Sequence, residues 1–263
     1  MLTLDPLCYA LPLTQLPEQR DAARHLLMQV DESLALDRLS PPTPDADRMS
    51  WRATLDEIWG GEDLIFSQID PLAFISGRVG EVAYLGTPIY RTGGDKTTPL
   101  LLANRKRAGD AGLEGARLVI PYENPTALEL AMLSGLGEKR DGLGAEMRVD
   151  DLDSALRRVR YSRTDLALIS DHDWAALQRL QPRLAEALHV VATGPSFPNA
   201  PFISSHTNSK TALKAISRGV TRFLTEHEHE ADRAILQLEG WEQVDLQDYD
   251  KILRWKGNIT PVA

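Results

Sequence analysis

Apolar and polar positions along this chain change period often, and the changes mark out short strands separated by helices with one apolar face. Residues 2–11 alternate loosely and predict a first strand. Past Pro17, the residues Ala22, Ala23, Leu26, Leu27 and Val30 recur at helical spacing and predict an amphipathic helix. Apolar runs at 64–68, 82–90, 98–106, 116–122, 146–149 and 165–169 predict further strands. Helices are expected at 52–59, from Pro71 behind a capping Asp70, at 150–161, and from Ser170 to about residue 180. Residues 189–193 and 201–205 form an extended return. The remainder reads as helical: 210–224 with Leu213, Ile216, Val220 and Phe223 on one side, then 232–238, then 246–255. Proline and glycine place breaks at 40–44, 92–96 and 135–144.

Strands that alternate with helices predict an α/β fold with mainly parallel sheets and ligands held at the carboxyl ends of strands. At 263 residues the chain exceeds the usual size of a single core. Residues 98–194 can close as their own lobe, leaving 1–97 plus 195–263 as a second, discontinuous lobe. The run GARLVIPYENPTALELAML (115–133) is a buried strand that breaks at Glu123-Asn124 and restarts as a helix. Asn124 suits the N-cap, and Pro125 suits the first helical position because its missing N–H had no partner there. The N–H groups of Thr126 and Ala127 then stand open at the positive end of a helix, a place for an anion or a polar head group. Ser170 opens a second helix in the same way, with Asp171 and Asp173 in its first turn.

A net charge of −9 argues against nucleic acid and against an anionic membrane surface as partners. The single cysteine, Cys8, allows no internal disulfide and reads as a small buried hydrophobe. Residues 1–16 carry no Lys or Arg and no continuous apolar stretch, so no signal peptide is predicted and no membrane insertion. The chain as it stands is expected to be cytoplasmic, and periplasmic if a leader precedes it. His227-Glu228-His229-Glu230 and Asp171-His172-Asp173 concentrate metal-ligand types. The His-x-His spacing splays its two rings, so both runs are read as solvated charge and no metal site is expected. No nucleophile elbow and no phosphate-binding loop motif occurs, and neither cofactor nor catalytic residue is predicted.

Four segments in order resemble the periplasmic binding protein-like type II fold, and most closely the phosphate/phosphonate ABC-transporter substrate-binding proteins. They are YALPLTQLPEQRDA, GARLVIPYENPTALELAML, DLALISDHDWAALQRLQPRLAEALHVVATGPSFPNAPFISS and LQLEGWEQVDLQDYDKIL. The resemblance implies two lobes, each a mixed, mainly parallel sheet flanked by helices, joined by two hinge strands and closing on a small ligand in the cleft. Strand ends and helix starts would line that cleft: Tyr9, Pro12, Gln68, Thr87, Tyr122, Asn124, Thr126, Ala127, Ser170 and Trp174. Relatives crowd the helix start with hydroxyls, where this chain has Asn124, Pro125, Thr126 and Ala127. The function implied is a non-catalytic solute-binding protein for a small polar or anionic molecule, with an ABC-transporter permease as a partner. The alternative is a cofactor-biosynthesis enzyme on the same fold, of menaquinone-pathway or thiamine-pyrimidine type.

Overall fold

The computed structural model describes residues 9–11, 16, 18–37, 39, 49–50, 59, 61–107, 113–122, 124–163 and 165–258. Cys8, Pro12, the break at 40–44 and all but Trp59 of the helix expected at 52–59 lie outside the described residues. In chain order the strands are β1 (Tyr9–Ala10), β2 (Met49–Ser50), β3 (Phe66–Gln68), β4 (Val82–Tyr90), β5 (Lys96–Thr97), β6 (Pro99–Asn104) and β7 (Leu118–Ile120). There follow β8 (Glu146–Arg148), β9 (Leu166–Ser170), β10 (Leu188–Thr193), β11 (Phe197–Pro198), β12 (Phe202–Ser205) and β13 (Leu238–Glu242). The chain folds as two compact units. Met1–Tyr90 with Asn199–Val244 form the first, and Arg91–Pro198 with Asp245–Ala263 form the second.

In the first unit the sheet runs β13-β4-β12-β3-β1-β2. β1 pairs parallel with β2 and β3, whereas β12 runs antiparallel to β3 and β4, and β13 antiparallel to β4. The helices Gln19–Leu36 and Lys210–Thr225 bring Leu26, Leu27, Val30, Ile216, Val220 and Phe223 into one core with Tyr9, Phe66 and Phe202. These are the periodic positions that predicted both helices, and each fully buried side chain of this size contributes about 1.5–3 kcal/mol. The two helices cross closely at Gly219, where an added Cβ would lie 2.6 Å from the Val30 Cα. The helix expected at 232–238 runs instead over Glu230–Leu236 and stops at Gln237, a left-handed residue (φ 56°, ψ 23°) that turns the chain into β13. A strand therefore stands where further helix was expected.

In the second unit the sheet runs β10-β6-β9-β7-β8. β7 is parallel to β9 and β8, and β6 is antiparallel to β9 and β10. β6, β7 and β9 are buried along their whole length, as continuous apolar strands in the middle of a sheet must be. Parallel pairs do not dominate either sheet.

The C-terminal residues belong to this second unit and not with 1–97. Tyr249 and Ile252 have no exposed surface, and Trp255 stands edge-on to Phe197 at 6.1 Å. The chain consequently passes from one unit to the other three times, after Tyr90, Pro198 and Val244, where two crossovers were expected.

Candidate functional site

Within the second unit, β7 and β9 are parallel neighbours, and each runs into the start of a helix. The two helix starts therefore emerge at the same, carboxyl end of the sheet, where open α/β sheets hold ligands. The first start differs from expectation by two residues. Thr126, extended at φ −120° and ψ 163°, is the N-cap of the helix Ala127–Leu136, and its hydroxyl oxygen accepts from the Glu129 N–H at 3.3 Å. Asn124 and Pro125 are exposed and precede the helix. The spacing Thr126-x-x-Glu129 is a capping box, and it outcompetes the Asn-Pro start because two donors are served reciprocally.

Glu129 completes that box and does more. Its side chain is 7% exposed and receives both Arg148 terminal nitrogens, Nη2 to Oε1 at 2.8 Å and Nη1 to Oε2 at 3.1 Å. Arg148 Nη1 also donates to the Tyr122 carbonyl at 3.2 Å, tying β8 to the loop ahead of the helix. Burial raises the Glu129 pKa, while Arg148 and the Thr126 N–H pull the other way. The positive end of this helix thus already carries a carboxylate of the protein's own. Ala127 is fully buried behind it, and Tyr122 is half-buried.

At the second start, each of the first three N–H groups has a partner inside the protein. Asp171 N donates to the Thr98 carbonyl at 2.9 Å, His172 N to Asp171 Oδ1 at 3.0 Å, and Asp173 N to Ser170 Oγ at 3.0 Å. Ser170 Oγ in turn donates to Asp173 Oδ2 at 2.6 Å. Asp171 Oδ1 also accepts from Thr98 N at 3.0 Å, which ties the helix start to the entrance of β6. Gly93 permits that approach: at φ +82°, it leaves room where a Cβ would sit 2.9 Å from Asp171 Oδ2. Burial drives the Asp173 pKa up, against the pull of His172 and the Ser170 hydroxyl. Trp174, one residue on, is half-buried.

The candidates in the first unit are engaged internally. Tyr9 has no exposed surface, and its hydroxyl donates to Asp31 Oδ1 at 3.1 Å. Gln68 donates from Nε2 to the Tyr90 hydroxyl at 3.0 Å and to the Ala200 carbonyl at 3.4 Å. Thr87, fully buried, shares a hydrogen bond of 2.9 Å with the Tyr84 hydroxyl. Pro12 lies outside the described residues. Sequence reasoning put Thr126 and Ser170 at helix starts that follow strands, and the pairing of β7 with β9 brings both starts to one end of the sheet. It missed Glu129 and Arg148, although the Thr-x-x-Glu spacing was there to be read.

Among the described residues no helix is long and apolar enough to cross a membrane. Residues 111–249, more than half of the chain, match the family described as ABC transporter, phosphonate, periplasmic substrate-binding protein. None of the curated proteins matches the sequence. Solved structures show the same fold at low identity. XAC2383 from Xanthomonas citri, bound to ATP, is 13% identical with a TM-score of 0.69, covering 96% of this chain and 98% of that one. A binding protein component of an ABC phosphonate transporter from Pseudomonas aeruginosa is 11% identical with a TM-score of 0.72, covering 97% and 89%. PhnD1 from Prochlorococcus marinus, in complex with methylphosphonate, is 11% identical with a TM-score of 0.72, covering 95% and 97%. Nothing in these likenesses supports the cofactor-biosynthesis alternative, and a profile that spans more than half of the residues decides the affiliation. The chain belongs to the phosphonate ABC-transporter periplasmic substrate-binding protein family, whose members bind solutes.

Proposed function

We propose that this solute-binding protein takes a small polar or anionic molecule at the carboxyl edge of β7 and β9, where Thr126 and Ser170 open their helices. The pairing of those two strands carries the reading, because it brings two helix starts to one end of one sheet. The internal carboxylates bear on the class of solute. Glu129 is neutralised by Arg148, and the raised pKa of Asp173 favours its uncharged form. The N–H groups of residues 171–173 are spent on Thr98, Asp171 and Ser170. A doubly charged phosphonate head would find few free donors here, so a monoanion or a zwitterion fits this edge better than a dianion. The protein would hand its solute to a membrane permease from the periplasmic side, as the family's description implies.

A thermal-shift screen tests this reading with methylphosphonate, phosphate, sulfate, small carboxylates, pyrimidines and ATP, the last because the Xanthomonas relative holds it. A ligand at a hundredfold its Kd stabilises by about 2.7 kcal/mol, a readily visible rise in Tm. Thr126→Ala and Ser170→Ala should each abolish the shift. A panel without any shift, or a shift that survives both substitutions, overturns the reading. Fractionation of cells that express the full open reading frame tests the location.

A further inference from the structure

The corner where the helix Lys210–Thr225 ends and the 3-10 turn His227–His229 begins gathers a trio that the His-x-His pattern conceals. Glu226, Glu228 and His229 each offer one ligand atom, and the three atoms lie within 4.8 Å of one another. His229 is only 8% exposed, and its ring stacks on the fully buried Phe223 at 4.9 Å and 26°. The buried Nε2 makes no hydrogen bond, although Glu228 Oε1 stands 3.5 Å away, out of hydrogen-bonding alignment. A buried ring nitrogen left in that condition carries a desolvation cost that a ligand would remove.

We propose that Glu226, Glu228 and His229 bind a divalent transition-metal ion of the Zn2+ type, through His229 Nε2 and one oxygen from each carboxylate. An imidazole with two carboxylates suits zinc or a similar ion and not the all-oxygen preference of calcium or magnesium. Three protein ligands leave a fourth position for water.

The surroundings are those that hold metal ligands in place. Arg222 grips Glu226 with Nε to Oε1 at 2.8 Å and Nη2 to Oε2 at 3.3 Å, which fixes the orientation of the carboxylate. Asp232 Oδ2 lies 3.8 Å from His229 Nδ1 and 2.9 Å from His25 Nδ1, a carboxylate placed behind the ligating ring. Glu228 has a side chain 66% exposed, and its Oε1 already stands 3.5 Å from the His229 ring nitrogen. His227 takes no part. Its side chain is 94% exposed and pairs with Glu230 at 2.8 Å.

Bound there, the ion would fasten the end of Lys210–Thr225 to the start of Glu230–Leu236. The test uses the untagged full chain, stripped of metal and titrated with Zn2+ against a chromophoric chelator. A parallel Co2+ titration is followed by visible absorption. One equivalent should bind, with Co2+ bands of a low-coordinate nitrogen and oxygen site. At a hundredfold the Kd, Zn2+ should raise Tm by about 5–10 °C. Glu228→Gln, at an exposed position that leaves the core intact, should weaken Zn2+ at least tenfold, and His229→Asn should abolish it. His227→Ala should bind as the unsubstituted chain does. Absence of binding above buffer competition, undiminished binding in Glu228→Gln, or loss of binding in His227→Ala would each overturn the proposal.

Discussion

Asp173 is a carboxyl held in the fold against its preference for water, and its consequence is a pH dependence of definite sign. Its pKa is raised by burial, so the folded chain keeps a proton that the unfolded chain releases. Below the ordinary value near 3.8 both states are protonated and the group is neutral to stability. As pH climbs above that value, the unfolded state ionises first, and stability is lost until pH passes the raised folded pKa. Asp173→Asn keeps an acceptor for the Ser170 hydroxyl and removes the titration. Urea unfolding from pH 4 to pH 8 should therefore show the substituted chain losing less stability with rising pH. An unchanged slope would mean that Asp173 ionises in the fold as readily as in the unfolded chain. At the other helix start, Thr126→Ala should cost about 1 kcal/mol, the usual worth of a lost N-cap, whereas Asn124→Ala should cost almost nothing. Equal losses at the two positions would restore Asn124 as the cap.

The helix Ala127–Leu136 is joined to β8 by one ion pair, and the pair is asymmetric. Glu129 is nearly buried, whereas the Arg148 side chain is 32% exposed. Arg148→Met strands a desolvated carboxylate and should destabilise by about 2–3 kcal/mol. Combining it with Glu129→Gln, which keeps the capping box, should recover most of that loss in a double-mutant cycle followed by denaturant unfolding. Additive losses would show that the two side chains act separately. The same element shows what the sequence discloses and what it hides. Its apolar run and its strand partner are legible from residues 115–133, and so are the long helices with Leu26 or Ile216 at helical spacing. The start was misplaced because Asn124-Pro125 and Thr126-x-x-Glu129 are both sound local signals, and only the Arg148 contact, 19 residues away, adds weight to the second. β13 was illegible for a related reason. Gln237 adopts a left-handed conformation that favours glycine, so no residue announced the end of the helix before it.

At the scale of the whole molecule, the alternation of strands and helices was enough to predict two units, but it assigned the last segment by sequence order alone. Residues 246–255 read as an amphipathic helix, and nothing in their periodicity says which sheet receives the apolar face. Tertiary packing decides it: Tyr249 and Ile252 are fully buried, and Trp255 meets Phe197, all within the unit that holds β6, β7 and β9. The same argument separates the two units experimentally. A chain ending at Val244, or a full-length chain carrying Ile252→Ala and Trp255→Ala, loses apolar cover from one unit only. Hydrogen exchange should then show weakened protection in β6, β9 and the helix Ala127–Leu136, with β3, β4 and β12 protected as before. The paired substitution removes two large side chains, each worth about 2–5 kcal/mol where buried, so the effect should exceed the noise of the method. Loss of protection in β3, β4 and β12 instead would return the C-terminal helix to the first unit and reduce the chain crossings to two.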